Sequence, residues 1–326
     1  MTAAVCVTGM HRCGTSFIAG ALQGLGVSLG DPDRFMQPGF DNPAGYNEVR
    51  SITELDDELM THLGGAWDQP PVLDPGWEAD PSLEPFRSRA SEILDDVFGR
   101  VDDRPGLFAW KDPRLSLLLP FWRTVAPIAT TIVPLRDPIE VAASLAGRKY
   151  PVDATQAAGL WLRYVFGAVA NDPGHLVVRY RDCFDDLPGV LGAIARHLGV
   201  PTPDASTVAS VRAQLDPSLR HHVATSSLPN AENPLMALAS SVWNRGAIDL
   251  DVVSPLVADA IARGWFRPPL DGELLARARA EVVRLTGLAR QLNRRLAQRD
   301  DARNEAGTDD AAEPTQTQPF GDARGP

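Results

Sequence analysis

The chain is short of three things, and each shortage narrows its function. It holds only Cys6, Cys13 and Cys183 in 326 residues. Cys6 lies in an apolar run, and the spacings fit neither a zinc site nor a disulfide framework. Buried or incidental thiols in a reducing compartment are the expectation. Long apolar runs are also missing: none reaches the roughly 20 residues needed to span a bilayer. No charged n-region with a cleavage site precedes the first apolar stretch, so a soluble, cytoplasmic protein is expected. Lysine, finally, is nearly absent. Lys111 and Lys149 are the only two in a chain whose other basic side chains are all arginine.

The net charge of −11 argues against nucleic acid as a partner. It is uneven along the chain. Residues 300–326 carry seven acids and two arginines, while 271–299 carry seven arginines and three acids. About −10 is left on residues 1–270 (−11 + 5 − 4). Any anion site there has to be a local pocket and not a basic surface.

What is present begins with "AAVCVT" (3–8), a short apolar run that reads as a buried strand. "GMHRCGTS" (9–16) follows, and then Phe17, Ile18, Ala21, Leu22 and Leu25 at helical spacing. Strand, glycine loop and helix together make an anion cradle from backbone N–H groups and the helix dipole. Gly9 and Gly14 have the spacing of G-x-x-x-x-G-K-[ST], and Ser16 is in place, but Thr15 stands at the lysine position. Arg12, inside the loop, can supply the charge, and its planar fork suits a tetrahedral oxyanion.

Further strands are expected at 107–110, 129–135 and 175–180, and helices at about 48–63, 82–99, 114–124, 138–148, 154–170 and 184–198. Alternating strands and helices imply a parallel sheet covered on both faces. The fold class is therefore α/β, a P-loop-type three-layer α/β/α arrangement spanning residues 1–270. "WKDPRL" (110–115) and "LRDPIEV" (135–141) each read strand, basic residue, Asp, Pro, helix. Asp as N-cap and Pro at the first helical position should start both helices there. Asp137 and Glu140 also have capping-box spacing. Lys111 and Arg136 are thereby set at the carboxyl edge of the sheet, where open α/β sheets bind ligands.

Residues 200–270 are less regular, with helices expected near 233–245 and 251–263. Over 271–299, Leu275, Ala278, Val282, Leu285, Ala289, Leu292 and Leu296 keep a 3-4-3-4 spacing. That is one amphipathic helix, packed on its own domain or pairing with a second copy as a coiled coil. The acidic, Pro/Gly-rich tail 300–326 is expected to be disordered.

At this point the residues resemble a family. "GMHRCGTSFIAGAL" resembles the 5′-phosphosulfate loop of sulfotransferases that use 3′-phosphoadenosine-5′-phosphosulfate (PAPS). "VPLRDPIEVAASL" is similar to their 3′-phosphate motif, an Arg at a strand end with a Ser eight residues later. "FAWKDPRLSLLLPFW" and "DNPAGYNE" resemble segments of the bacterial branch that acts on glycans and related metabolites, and "VVRYRDCF" is a fainter echo of a Tyr-x-Asp segment. The likeness covers roughly residues 3–200. No counterpart follows of the basic-glycine loop that closes over the nucleotide in cytosolic relatives.

The resemblance implies PAPS as co-substrate, with Gly9, Arg12, Gly14, Thr15, Ser16, Arg136 and Ser144 as its ligands. It implies Glu48 as the base that takes the acceptor proton, a role for which His11 competes. Lys111 suits donation to the bridging oxygen. No metal is expected, because Lys111 stands before Asp112 in the nearest Walker-B candidate and would repel magnesium. His221 and His222 read as solvated, and Arg114 as structural or substrate-binding. The acceptor is expected to be carbohydrate-like or another small molecule bearing a hydroxyl or amine. Two alternatives stay open: a P-loop kinase or NTPase with its cation supplied from elsewhere, and a non-catalytic assembly protein with a vestigial loop.

Overall fold

The computed structural model describes residues 3–39, 45–100, 106–148, 151–215 and 233–245. The expected helices at 251–263 and 271–299, the tail 300–326, and His221 and His222 lie outside the described residues. Four parallel strands form one sheet: β1 (Ala3–Val7), β2 (Leu107–Lys111), β3 (Ile128–Leu135) and β4 (Leu176–Arg179), in the order β2-β1-β3-β4. Ten α-helices accompany them among the described residues: α1 (Thr15–Gly24), α2 (Arg50–His62), α3 (Glu84–Phe98), α4 (Leu115–Arg123), α5 (Pro138–Ala146), α6 (Ala154–Asn171), α7 (Asp182–Asp185), α8 (Leu187–Leu198), α9 (Ala205–Arg212) and α10 (Pro234–Arg245).

The strand period of two sorts side chains between two cores. Ala4 and Cys6 of β1, with Phe108 and Trp110 of β2, face the helices α2 to α6 and α10. Val5 and Val7, with Ala109 and Ile132, face α1 and α8. The sheet is thus covered on both sides, as its predominantly apolar strands require. All three cysteines are buried free thiols. Burial pushes Cys13 and Cys183 up to about 12. No described helix is long and apolar enough to cross a membrane.

The strand order creates the place where a ligand fits. Strand β1 lies between β2 and β3, and the chain leaves β1 for α1 on one face but leaves β3 for α5 on the other. A crevice opens between two such connections at the carboxyl ends of the strands, the topological switch point of an open α/β sheet. Loop 9–14 and residues 136–137 flank it.

Three local expectations need correction. Helix α4 begins at Leu115 and not at Pro113. Asp112 caps a tight turn instead: its Oδ1 accepts from the Arg114 amide at 2.8 Å and from Arg114 Nη1 at 3.0 Å. Pairing with a buried guanidinium outcompeted helix capping. Helix α2 begins at Arg50, so Glu48 is not a first-turn residue. And within the stretch read as less regular, residues 205–212 form α9, capped by Asp204 through the Thr207 amide.

Candidate active site

The glycine loop has the backbone its sequence demands. Gly9 has φ 101° and Gly14 φ 90°, values costly for any residue with a Cβ. A Cβ on Gly14 would sit 2.2 Å from Cδ2 of Tyr180, whose ring lies against the loop. Arg12 also adopts the left-handed region, at φ 70°. An arginine there carries strain that the surrounding structure must hold in place, a recurrent property of ligand clamps.

Not every loop amide is available to a ligand. Gly9 N donates to Ser116 Oγ at 2.8 Å, and Ser116 Oγ also bonds Thr8 Oγ1 at 2.7 Å. The expected run of anion-facing amides therefore starts after Gly9, and Ser116 is a loop-fixing residue that sequence reasoning missed. At the other end, α1 starts at the buried Thr15 with Gly14 as N-cap, no side-chain cap and no acid in its first turn. A helix start left in that state suits an anion.

Arg12 joins the loop to the far side of the crevice. Its Nε donates to Ser144 Oγ at 2.9 Å, and Arg136 Nη1 donates to its carbonyl oxygen at 3.2 Å. Arg136 is buried, its Nε bonded to Glu140 Oε2 at 2.8 Å and its guanidinium 5.4 Å from the Tyr180 ring centroid. Glu140 is committed to Arg136, while Asp137 alone makes the expected cap, through the Ile139 amide. The capping-box spacing served an ion pair.

Glu48 and Lys111, 63 positions apart, form a buried ion pair. Local geometry explains how Glu48 arrives there. Asn47 takes φ 51°, a left-handed conformation that Asn tolerates, and its side-chain amide donates to the Ser16 carbonyl at 2.9 Å. Met36 N donates to the Glu48 carbonyl at 2.8 Å. Segment 47–49 is pinned beside the glycine loop and presents Glu48 to the end of β2. Burial raises the Glu48 pKa, Lys111 opposes that rise and Asp112 adds to it; the net direction is upward. Arg114 is held well above its ordinary value: burial opposes its charge, but Asp112 and Asp57 outweigh burial. Both Asp112 carboxylate oxygens accept from Arg114 Nη1, at 3.0 and 3.2 Å.

His11 lies among these groups. Its ring packs on Trp67 (centroids 4.8 Å apart) and edge-on to Tyr164 (5.4 Å). Tyr164 is fixed by its own bond to the Trp67 carbonyl at 2.8 Å. Burial, then the charges of Arg114, Lys111, Arg148 and Arg12, hold His11 well below the usual histidine value, so the ring is neutral. Its Nε2 is buried without a hydrogen-bond partner. Such an atom stands out, because nearly all buried polar groups are hydrogen-bonded.

Loop 9–16, Glu48, Lys111, Arg136 and Ser144 thus all lie at one sheet edge, with Arg12 joining the loop to Arg136 and Ser144. Tyr180, Asn47, Ser116 and Glu140 join them. Of these, Glu140 carried a capping signal and Tyr180 lay in the Tyr-x-Asp stretch, and Asn47, of a residue type prone to left-handed φ, stood before a helix start; nothing marked Ser116.

No family model matches the chain, and no curated protein matches it. Among solved structures it is similar to the sulfotransferase domain of the Synechococcus PCC 7002 olefin synthase, at 17% identity over 75% of this chain and 94% of that one, with a TM-score of 0.42. It is similar also to the sulfotransferase domain from the curacin biosynthetic pathway (14% identity, 75% and 98% covered, TM-score 0.43). A third is a sulfotransferase of Mycobacterium tuberculosis H37Rv (17% identity, 65% and 71% covered, TM-score 0.35).

Proposed function

We propose that this chain is a sulfotransferase that moves the sulfuryl group of PAPS to a hydroxyl or amine of a carbohydrate-like or other small-molecule acceptor in the cytoplasm. The observation that carries the reading is the Arg12 junction. Its Nε meets Ser144 at 2.9 Å and its carbonyl meets Arg136 at 3.2 Å, so an anion cradle and a second cationic station share one residue across the switch-point crevice. PAPS has two anionic ends, and two joined stations suit it. A kinase or NTPase would need only the first.

On this reading, Arg12, Gly14, Thr15 and Ser16 hold the 5′-phosphosulfate, the amides of the first helical turn pointing at its oxygens. Arg136 and Ser144 hold the 3′-phosphate. The acceptor oxygen forms a bond to sulfur while the bond from sulfur to the bridging phosphate oxygen breaks, and adenosine 3′,5′-bisphosphate (PAP) leaves. Glu48 takes the acceptor proton. Lys111 donates a hydrogen bond to the bridging oxygen as negative charge develops on it. Placing that ammonium before the reaction starts is the electrostatic part of catalysis. The buried pair has a second use: the Lys111 charge opposes the burial that raises the Glu48 pKa. His11, neutral and with Nε2 unpartnered, supplies a hydrogen bond to the acceptor and not a charge.

Thermal-shift and titration measurements with PAP, with ATP and magnesium, and with PAPS plus glycan acceptors test the reading. PAP alone should stabilise the protein, by about 2.7 kcal/mol at ~100 times its dissociation constant. EDTA should leave transfer unchanged. Preference for ATP with magnesium over PAP would overturn the assignment, and no nucleotide binding at all would favour a vestigial loop.

A further inference from the structure

We infer that Glu140 is a positioning residue: by holding Nε of Arg136 it sets how strongly the site distinguishes a nucleotide with a 3′-phosphate from one without. The inference rests on the reading of Arg136 as the 3′-phosphate ligand.

Three of its contacts orient the Arg136 guanidinium. Glu140 Oε2 accepts from Nε at 2.8 Å, the Arg12 carbonyl accepts from Nη1 at 3.2 Å, and the Tyr180 ring lies 5.4 Å from the guanidinium carbon. The Arg136 and Glu140 side chains are only 10% and 6% exposed. With Nε committed to Glu140, an incoming phosphate meets the guanidinium through its Nη edge, on the side of Arg12 and Ser144. Arginine recognises phosphate well when its fork is pre-oriented, because less side-chain freedom is then lost on binding.

Two further facts separate this role from helix building. Asp137 already caps α5 through the Ile139 amide at 2.8 Å, so Glu140 is not needed for the cap. And a carboxylate beside a phosphate site repels the ligand. Its presence there costs affinity unless its geometry gives something back, and that geometry is the bond to Nε.

Charge and reach can be varied separately. Glu140→Gln keeps an oxygen that can accept from Nε and removes the negative charge. Glu140→Asp keeps the charge and loses one methylene of reach. The experiment titrates the full chain, as wild type, Glu140→Gln, Glu140→Asp and Arg136→Ala, with PAP and with adenosine 5′-phosphate. The readout is the ratio of the two affinities. Wild type should prefer PAP by about tenfold or more, the worth of a charged hydrogen bond. Arg136→Ala should abolish the preference. Glu140→Asp should lose most of it, with adenosine 5′-phosphate affinity within about twofold of wild type. Glu140→Gln should keep the ratio and bind PAP as tightly as wild type or tighter. A wild-type ratio in Glu140→Asp, or a collapsed ratio in Glu140→Gln, overturns the role of Glu140 alone. An unchanged ratio in Arg136→Ala removes the 3′-phosphate reading, and the inference with it.

Discussion

Replacing Glu48 by glutamine tests stability and chemistry through one atom. The substitution keeps the shape of the side chain and removes the charge facing Lys111. Both side chains are buried, at 9% and 2% exposure, so water cannot screen what remains. Leaving one member of a buried pair unmatched costs about 3–5 kcal/mol, against a typical domain stability of about 5–15 kcal/mol. At about 2–4 °C per kcal/mol for a chain of this order, the melting temperature should fall by roughly 6–20 °C. The double variant Glu48→Gln/Lys111→Met has no charge to leave unmatched, and replacing a whole buried pair is often neutral or stabilising. Its urea midpoint should return close to that of the wild type. Activity should not return with it. Single-turnover transfer at saturating PAPS should drop by roughly 10²–10⁴-fold in Glu48→Gln and stay low in the double variant. Urea denaturation of all four proteins in the cycle gives the coupling energy directly. A coupling below about 0.5 kcal/mol, the usual spread for independent sites, would mean that the charges do not meet in solution. A wild-type single-turnover rate in Glu48→Gln would remove it as the base.

Other outcomes follow from single features. Gly14→Ala should lose stability and PAP affinity together, since its Cβ would fall 2.2 Å from the Tyr180 ring at φ 90°. Adding Tyr180→Ser should restore only part of the loss, because the backbone strain remains; a wild-type urea midpoint in Gly14→Ala would refute the packing. Asp56 is fully buried, its pKa well raised by burial and then by Asp112. The folded state keeps a proton that the unfolded chain releases above about pH 4, so this group makes stability fall as pH rises from there, by up to ~1.4 kcal/mol per unit. Asp56→Asn should remove that slope in urea midpoints taken from pH 4 to 8. His11 has the opposite sign: its folded pKa is depressed, so its contribution is complete above about pH 6.5 and is lost as pH falls below it. His11→Asn should flatten stability in that lower window, and an unchanged slope would show that the ring is not held neutral.

The elements were legible where one residue type determines a local outcome. Val5, Val7, Phe108 and Trp110 announce buried strands because nothing polar interrupts them, and Asp137-Pro138 marks a helix start because cap and ring both favour it. The same dipeptide misled at Asp112-Pro113. There the carboxylate had a better partner in Arg114, and such choices depend on burial, which a local window does not contain. The site was legible as a set of residues and illegible as a set of pairs. Lys111 and Arg136 read as cations presented at a sheet edge; the structure gives each a carboxylate, Glu48 and Glu140. Glu140 is four positions from its partner, yet helix-capping chemistry offered a competing explanation. Glu48 is 63 positions from Lys111 and nothing local connects them. Tyr180 over Gly14 belongs to the same class, since a glycine states that space is needed and not what fills it.

The strand order has a consequence for how the protein comes into being. Strand β1 is the middle of the sheet's working half, yet both of its neighbours are made much later: Ala3 pairs with Leu107 and Ala4 with Ile128. At about 5–20 residues per second, the ribosome needs roughly 5–21 s to travel from Ala3 to Leu107. Through that interval "AAVCV" has no sheet to join. Its brevity and two alanines make it a poor nucleus for pairing with other chains, which calls for segments of about six or seven residues with high strand propensity. The Arg12–Ser144 bond then closes over 132 positions. A chain stalled before Ser144 carries a complete glycine loop and no crevice for it to line. The loop is therefore among the first parts of this sheet edge to be made, and its partner across the edge among the later ones.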